Sequence, residues 1–359
     1  MDKLRVNLGL DSYDIVFEES FAELPRAMSN INAPKKLLIV TDSNVLELYA
    51  KEVKELFTEC GYDVKVCSFP AGEENKNMKT ILGICNACVE HEMDRNSMIV
   101  ALGGGVVGDM AGFAAAIYMR GIRFIQIPTT LLSQSDSSVG GKTGIDFKNG
   151  KNILGAFHQP KLVYINVSTL STLSDIQFTS GMGEVIKHGI IKNREFFLFL
   201  RDNVTLVKSK NPYILIKMAK ANCSIKAKVV EEDERENGLR AILNFGHTIG
   251  HAVEAAFDFK MTHGECVAIG MIGAGYIAYK RGLLSETRLD EIEGILELYG
   301  FCMRVNIPDI DKVYELMQKD KEKIDGVLKF ILPIKVGEVV EVRDVTKDEI
   351  YSALSYISE

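Results

Sequence analysis

The sequence predicts two domains: an α/β domain on a parallel sheet over residues 1–170, and a mainly α-helical domain over 171–359. Three observations carry this. A chain of 359 residues is long enough for about two domains. Its first half alternates short apolar runs with helical patterns. After about residue 170 the strand signals stop and long helical patterns take over.

The runs "KLLIVTD" (36–42), "DVKVCSF" (63–69), "SMIVALGGG" (97–105), "RFIQIPTT" (123–130) and "LVYIN" (162–166) read as strands. Most are apolar without a polar alternate, which suits a sheet covered on both faces. Helical stretches such as 44–60 and 77–92 separate most of them, as crossovers between parallel strands require. Helical patterns then occupy 181–202, 211–234, 246–257, 263–281 and 287–299, and "KFILPI" (329–334) returns as a short strand. No repeat, low-complexity segment or flexible linker stands out.

Composition narrows the function. Hydrophobic residues make up 47% and charged ones 25%, ordinary for a globular protein. A net charge of −7 argues against a nucleic-acid partner, although a local basic cluster can still hold an anionic small molecule. The start "MDKLRVNLGLDSYDIVF" has no apolar core of a signal peptide, and no run approaches the ~18 apolar residues of a membrane span. Seven scattered cysteines suit reduced thiols and a cytoplasmic location. Cys85 and Cys88 form C-x-x-C without a second pair, so they read as small buried residues on a helix rather than a zinc ribbon.

"GGGVVGD" (103–109) follows a strand and opens a helix, with Gly103, Gly105 and Gly108 in G-x-G-x-x-G spacing. Such glycines let backbone N–H groups approach a pyrophosphate, in Rossmann-like fashion. A tight turn explains them equally well. The motif does not follow the first strand, and position 128 is proline rather than an acid, so Asp42 at the end of "LLIVTD" is the better partner for a ribose. "VGGKTG" (139–144) fails as a P-loop, because Asp136 stands where a glycine is needed. Asp136, Lys142, Lys148, Lys151 and Asn152 crowd a glycine-rich stretch, either a solvated loop or a site for a phosphorylated substrate.

"NFGHTIGHAVE" (244–254) spends two of six histidines one helical turn apart, so His247 and His251 share a face. Thr248 stands where a zincin would place its glutamate. "GMGEVIKHG" (181–189) puts Glu184, Lys187 and His188 on one face, a pattern also met in surface ion pairs. "MTHGECVAIGM" (261–271) puts His263 before an apolar helix. Glu184, His247 and His263 would form a three-ligand metal site with open positions; helix-capping histidines are the competing reading.

Together, "PAGEENK", "ALGGGVVGDMAGFAAAIYMRG", "IPTTLLSQSDSSVGGKTGIDFKNGKNILGAFHQP", "GMGEVIKHG", "RAILNFGHTIGHAVEA" and "THGECVAIGM" resemble, in this order and spacing, the 3-dehydroquinate synthase family of sugar phosphate cyclases. The resemblance runs through most of the chain. It implies an NAD-binding α/β domain (1–170), an α-helical metal- and substrate-binding domain (171–359) with the active site between them, and a homodimer. It implies NAD and a divalent metal as cofactors, Zn2+ with Co2+ as the alternative.

By resemblance, Glu184, His247 and His263 bind the metal. NAD falls to Asp42, Asn44, Glu73, Lys76, Gly104, Gly105, Asp109, Thr129, Thr130 and Thr172, with Lys142 and Lys151 reaching towards it and the substrate. The substrate falls to His251, Asp136, Lys142, Lys151, Asn152, Lys187, Lys226, Arg240 and Asn244. Arg120 resembles an arginine that approaches the phosphate from the dimer partner. Two departures stand out. The late "DKEK" (320–323) replaces D-K-K, so Lys321 is the substrate lysine with Lys323 as a rival, and "TLSDIQFTSG" lacks the usual proline and arginine. His188 matches no family ligand and reads as structural.

The implied reaction turns 3-deoxy-D-arabino-heptulosonate 7-phosphate into 3-dehydroquinate and phosphate, by transient NAD oxidation, phosphate elimination, reduction and intramolecular aldol closure. A sister cyclase (2-deoxy-scyllo-inosose or valiolone synthase type) would share NAD and zinc, but "SSVGGKT" with Arg240 favours a carboxylate-bearing substrate. A metal-dependent polyol dehydrogenase would not need the Lys/Arg cluster, and a binding protein would not need all three ligands.

Overall fold

The structure, a computed structural model, describes residues 2–148, 150–236, 238–318 and 328–358. The chain divides into two compact units, one of residues 1–173 and 215–234, the other of 174–214 and 235–359. The single cut expected at 170/171 therefore misses one return of the chain.

The first unit begins with β1 (Asp2–Val6), β2 (Tyr13–Glu18), α1 (Leu24–Asn30) and β3 (Lys36–Asp42). A helical run follows, α2 (Ser43–Val45) leading through a π-helical turn into α3 (Lys51–Glu59), then β4 (Asp63–Phe69), α4 (Met78–Glu90), β5 (Met98–Gly103) and α5 (Gly105–Ile117). β6 (Arg123–Pro128), the pair β7 (Lys142–Phe147) and β8 (Gly150–Phe157), and β9 (Leu162–Asn166) complete this stretch. Seven strands form one sheet in the order β1-β2-β9-β6-β5-β3-β4, parallel except for the β1–β2 pair at its edge. Leu37, Ile39, Val100, Leu102, Ile125 and Ile127 feed a core on one face. Leu38, Val40, Ile99, Ala101 and Phe124 feed a core on the other. Alternate residues of each apolar run thus serve opposite layers, which is why those runs carry no polar alternate.

The second unit opens with α6 (Asp175–Lys192), α7 (Arg194–Asp202) and α8 (Val204–Lys208). One helix was expected over 181–202, but Asn193 is extended and its side chain accepts from the Phe196 N–H, so it caps a new helix. α9 (Pro212–Glu232) carries the chain back into the first unit from residue 215. α10 (His247–Ala256), α11 (His263–Lys280), α12 (Glu286–Tyr299) and α13 (Ile310–Gln318) follow, then the hairpin β10 (Phe330–Lys335) and β11 (Glu338–Val342), and α14 (Lys347–Tyr356). No helix among the described residues is long and apolar enough to cross a membrane. All seven cysteines are free thiols; Cys85 and Cys88 both lie on α4 as read, but only Cys88 is buried and Cys85 is half-buried.

Candidate metal centre and nucleotide crevice

In the first unit the chain leaves β3 for β4 on one side, while β5 lies on the other. Such a reversal opens a crevice at the carboxyl ends of β3 and β5, the usual place for a ligand on an open α/β sheet. Asp42 ends β3, and its Oδ1 accepts from the N–H groups of Asn44 (2.9 Å) and Val45 (3.0 Å), which fixes the turn into α2. Gly104 precedes α5 and Gly105 is its first residue, so the first N–H groups of that helix, which no side chain caps, lie at the carboxyl end of β5. None of Gly103, Gly104, Gly105 and Gly108 has a positive φ, so turn geometry does not demand them. Close approach does: a Cβ at Gly108 would lie 2.6 Å from Gln126 Oε1, and one at Gly104 3.1 Å from Thr130 Cγ2. Thr129 follows β6 and donates its N–H to Gly103 O (3.0 Å). Thr172 follows β9, beside the Tyr49 hydroxyl. This donor set at a helix N-terminus fits a dinucleotide's pyrophosphate.

Lys76 is buried, with its ammonium 2.7 Å from Asp109 Oδ2, 2.6 Å from Asn152 Oδ1 and 3.9 Å from Glu73 Oε1. Burial opposes its charge, but Asp109 and Glu73 outweigh burial and raise it above the usual lysine range. Four expected residues thus meet at one point. Lys226, on α9, bonds Asp136 twice, at Oδ1 and at the carbonyl oxygen, each 2.6 Å. The stretch carrying Lys142, Lys151 and Asn152 is no open loop: β7 and β8 form an antiparallel hairpin. Gly144 and Gly155 face each other there, and a Cβ at Gly155 would overlap Thr143 O. Asn152 takes φ +53, a left-handed conformation that asparagine tolerates. Arg120 is exposed in a turn where Met119 (φ +49), Arg120 (φ +66) and Gly121 (φ +116) are all left-handed.

In the second unit, Glu184, His247 and His263 each offer a ligand atom, all within 4.8 Å of one another. Glu184 comes from the middle of α6; His247 and His263 are the first residues of α10 and α11. Gly246, at φ +80, turns the chain into α10, and a Thr262–Glu265 capping box sets the start of α11. Nε2 of each histidine lies 3.4 Å from Glu184 Oε1. The Nδ1 atoms turn elsewhere: His247 donates to Phe245 O (3.2 Å), and His263 faces Glu254 Oε2 (3.6 Å). Burial alone would raise the Glu184 carboxyl, but Lys187, whose ammonium pairs with it, and the two histidines hold it well below the carboxylate range. Burial and then Lys187 keep His247 neutral, the form that ligates. A buried carboxylate and two converging imidazole nitrogens fit a divalent cation.

His251 lies outside that trio, its ring centroid 5.1 Å from His247 and 6.1 Å from His263. Arg240 is buried and Asn244 half-buried on the turn preceding α10. Lys321 and its rival Lys323 lie outside the described residues. The expected substrate residues thus divide by unit: Asp136, Lys142, Lys151, Asn152 and Lys226 in the first, Lys187, Arg240, Asn244 and His251 in the second. Sequence reasoning missed Glu254, whose signal was a carboxylate two turns after His247 on the same helix face. It also missed Gly183 and Gly264, the glycines beside two of the ligands. A Cβ at Gly183 would sit 2.8 Å from Gly264 O, and one at Gly264 would overlap Ser180 O.

The family model described as 3-dehydroquinate synthase N-terminal matches residues 66–180, and that described as 3-dehydroquinate synthase C-terminal matches 181–323. The chain belongs to the 3-dehydroquinate synthase family. A curated 3-dehydroquinate synthase from Acetivibrio thermocellus is 45% identical over the full length of both chains. Among solved structures, a 2-deoxy-scyllo-inosose synthase complexed with carbaglucose-6-phosphate, NAD+ and Co2+ aligns with a TM-score of 0.89 at 28% identity, covering 98% of this chain and 99% of that one. A 2-epi-5-epi-valiolone synthase from Streptomyces hygroscopicus subsp. jinggangensis, with NAD+ and Zn2+ bound, aligns at 0.88 with 29% identity, covering 96% of each. This member of the 3-dehydroquinate synthase family shares the fold of the wider sugar phosphate cyclases.

Proposed function

We propose that this protein is a 3-dehydroquinate synthase, a carbon–oxygen lyase of the shikimate pathway. It converts 3-deoxy-D-arabino-heptulosonate 7-phosphate into 3-dehydroquinate and phosphate. The observation that carries this is the convergence of Glu184, His247 and His263, in a chain 45% identical throughout to a 3-dehydroquinate synthase.

Glu184, His247 and His263 would hold a divalent cation, zinc or cobalt, and the crevice between Asp42 and the Gly104–Gly105 turn would hold NAD+. When bound, these groups supply Lewis acidity and a reversible hydride acceptor. The remaining work belongs to the chain. Arg240 presents a planar fork suited to the substrate carboxylate, with Lys226 as a second cation. Lys142, Asn152 and His251 are suited to the phosphate. The imidazole of His251 is also the group fitted to pass a proton to and from the substrate hydroxyls. Lys187 keeps Glu184 ionised, and Lys76 holds Asp109 and Asn152 in register beside the nucleotide.

We infer a homodimer, in which Arg120 would approach the partner's phosphate site; sedimentation of the wild-type chain checks this. The function itself is tested by phosphate release from the heptulosonate phosphate with NAD+ and zinc, the carbocycle being identified by NMR. Phosphate should appear without NADH accumulating. Preferred turnover of a sugar phosphate lacking the carboxylate would make the chain a sister cyclase, and steady NADH accumulation a dehydrogenase.

A further inference from the structure

We propose that Glu254 is a positioning residue of the metal centre: its carboxylate orients His263 through Nδ1, so that Nε2 is presented to the cation. The inference rests on the metal site proposed above and extends it to a residue outside the ligand set. Glu254 lies on α10, two turns after His247 and on the same face, and is only 6% exposed. A carboxylate buried this far is costly unless charge or hydrogen bonding compensates it. Its Oε2 lies 3.6 Å from His263 Nδ1, on the side of the ring away from Glu184. It is not one of the three residues whose ligand atoms converge.

Histidines that bind metals almost always donate their other ring N–H to a carbonyl or carboxylate, which fixes tautomer and orientation. Both histidines here have such an acceptor, but of different kinds. His247 uses the backbone carbonyl of Phe245, which no side-chain substitution removes. His263 uses a side chain, the carboxyl group of Glu254. At 3.6 Å that contact is electrostatic; an approach of roughly half an ångström would make it a hydrogen bond. Glu254 also changes the charge of the cluster. Lys187 already offsets Glu184, so a Glu254 carboxylate would supply the uncompensated negative charge that favours a dication.

The test compares metal-stripped wild type with Glu254→Ala, Glu254→Gln and Glu254→Asp. Zinc affinity is measured by competition with a chromophoric chelator, and visible spectra are taken of the Co2+-loaded proteins. Glu254→Ala should bind zinc about 10- to 100-fold more weakly. Glu254→Gln, which keeps an acceptor oxygen but no charge, should fall between Ala and wild type, and Glu254→Asp should recover part of the loss. The cobalt bands should move in Ala and Gln. Melting of the metal-free proteins provides the control, because a merely structural residue would lower that melting temperature and leave zinc affinity alone. If Ala does not fold, the near-isosteric Gln carries the comparison. Wild-type affinity and unchanged cobalt spectra in the folded variants would overturn the role of Glu254 while the metal site stood. A wild type that takes up no metal would overturn both.

Discussion

His247 and His251 share one face of α10, yet only His247 directs a ring nitrogen at Glu184. His247→Ala should therefore lose tightly held zinc. His251→Ala should keep its zinc stoichiometry and lose turnover by the roughly 10²–10⁴-fold typical of a positioned proton-transfer group. Metal analysis of the two purified variants separates them, and equal zinc loss would make His251 a fourth ligand. Lys142→Met should weaken a charge-assisted contact to the substrate by about 10- to 150-fold and leave NAD+ affinity nearly unchanged. An unaltered KM and kcat would move the phosphate site elsewhere. At this scale the sequence was half legible. Residue types and spacing put His247 and His251 side by side but could not divide their work, because a shared face says nothing about what lies opposite it. Residue types also offered Glu184 and His263, from other helices, as ligands, but left helix-capping histidines as a competing reading, which the resemblance set aside. Glu254 was overlooked because a lone glutamate in "HAVEA" looks like any solvated helix residue until its burial is known.

Helix packing around the ligands depends on glycine. Gly264→Ala should force α11 away from Ser180 on α6, costing about 1–3 kcal/mol, and should weaken metal binding because Glu184 and His263 lie beside the contact. A fully stable variant with wild-type zinc affinity would show that the helices can part without disturbing the ligands. A second link joins α11 to α14. Arg281 bonds Glu349 (2.8 Å) and Asp344 (2.7 Å), and its bond to Glu349, followed by those from the Thr346 N–H and hydroxyl, pushes the Glu349 carboxyl down to about 2. A depressed carboxylate stabilises fully above its unfolded value of about 4.3, and that contribution is lost as pH falls towards 2. Glu349→Gln should thus lower the melting temperature at pH 7, by an amount worth about 1 kcal/mol for so exposed a pair, and the gap from wild type should close between pH ~4.3 and ~2. A gap that persists at pH 2 would exclude the ion pair as its source. The buried strands β3, β5, β6 and β9 were legible because doubly covered strands leave uninterrupted apolar runs, and β4, at the sheet edge with Asp63, Lys65 and Ser68 exposed, was legible from its alternating pattern. The β1–β2 pair was not, since "DKLRV" at a sheet edge is half polar. Nor was the β7–β8 hairpin, whose glycines look like a loop until Gly144 and Gly155 are seen back to back.

The proposed cofactors draw on different units. In hydrogen exchange, NAD+ alone should slow the backbone near 42–45 and 103–109, and zinc alone near 183–188, 246–254 and 262–266. Zinc protection of the glycine turn with none around Glu184 would refute the metal assignment. The two-part organisation was legible from where strand signals stop, but the return of 215–234 was not. A 3.6-residue period marks a helix without saying which core it covers. That return has a consequence for synthesis. Asn222 reaches Ser135 O (2.6 Å), Cys223 reaches Gln134 O (3.3 Å) and Lys226 holds Asp136. The turn after β6 therefore lacks its partners until α9 has been made. On a ribosome adding ~5–20 residues per second, the nascent sheet waits several seconds for that helix. A fragment ending at residue 173 should emerge sticky, bind a hydrophobic dye and need chaperones. Fusing residues 215–234 to it through a flexible linker should restore a soluble fold, although the intervening helices are gone.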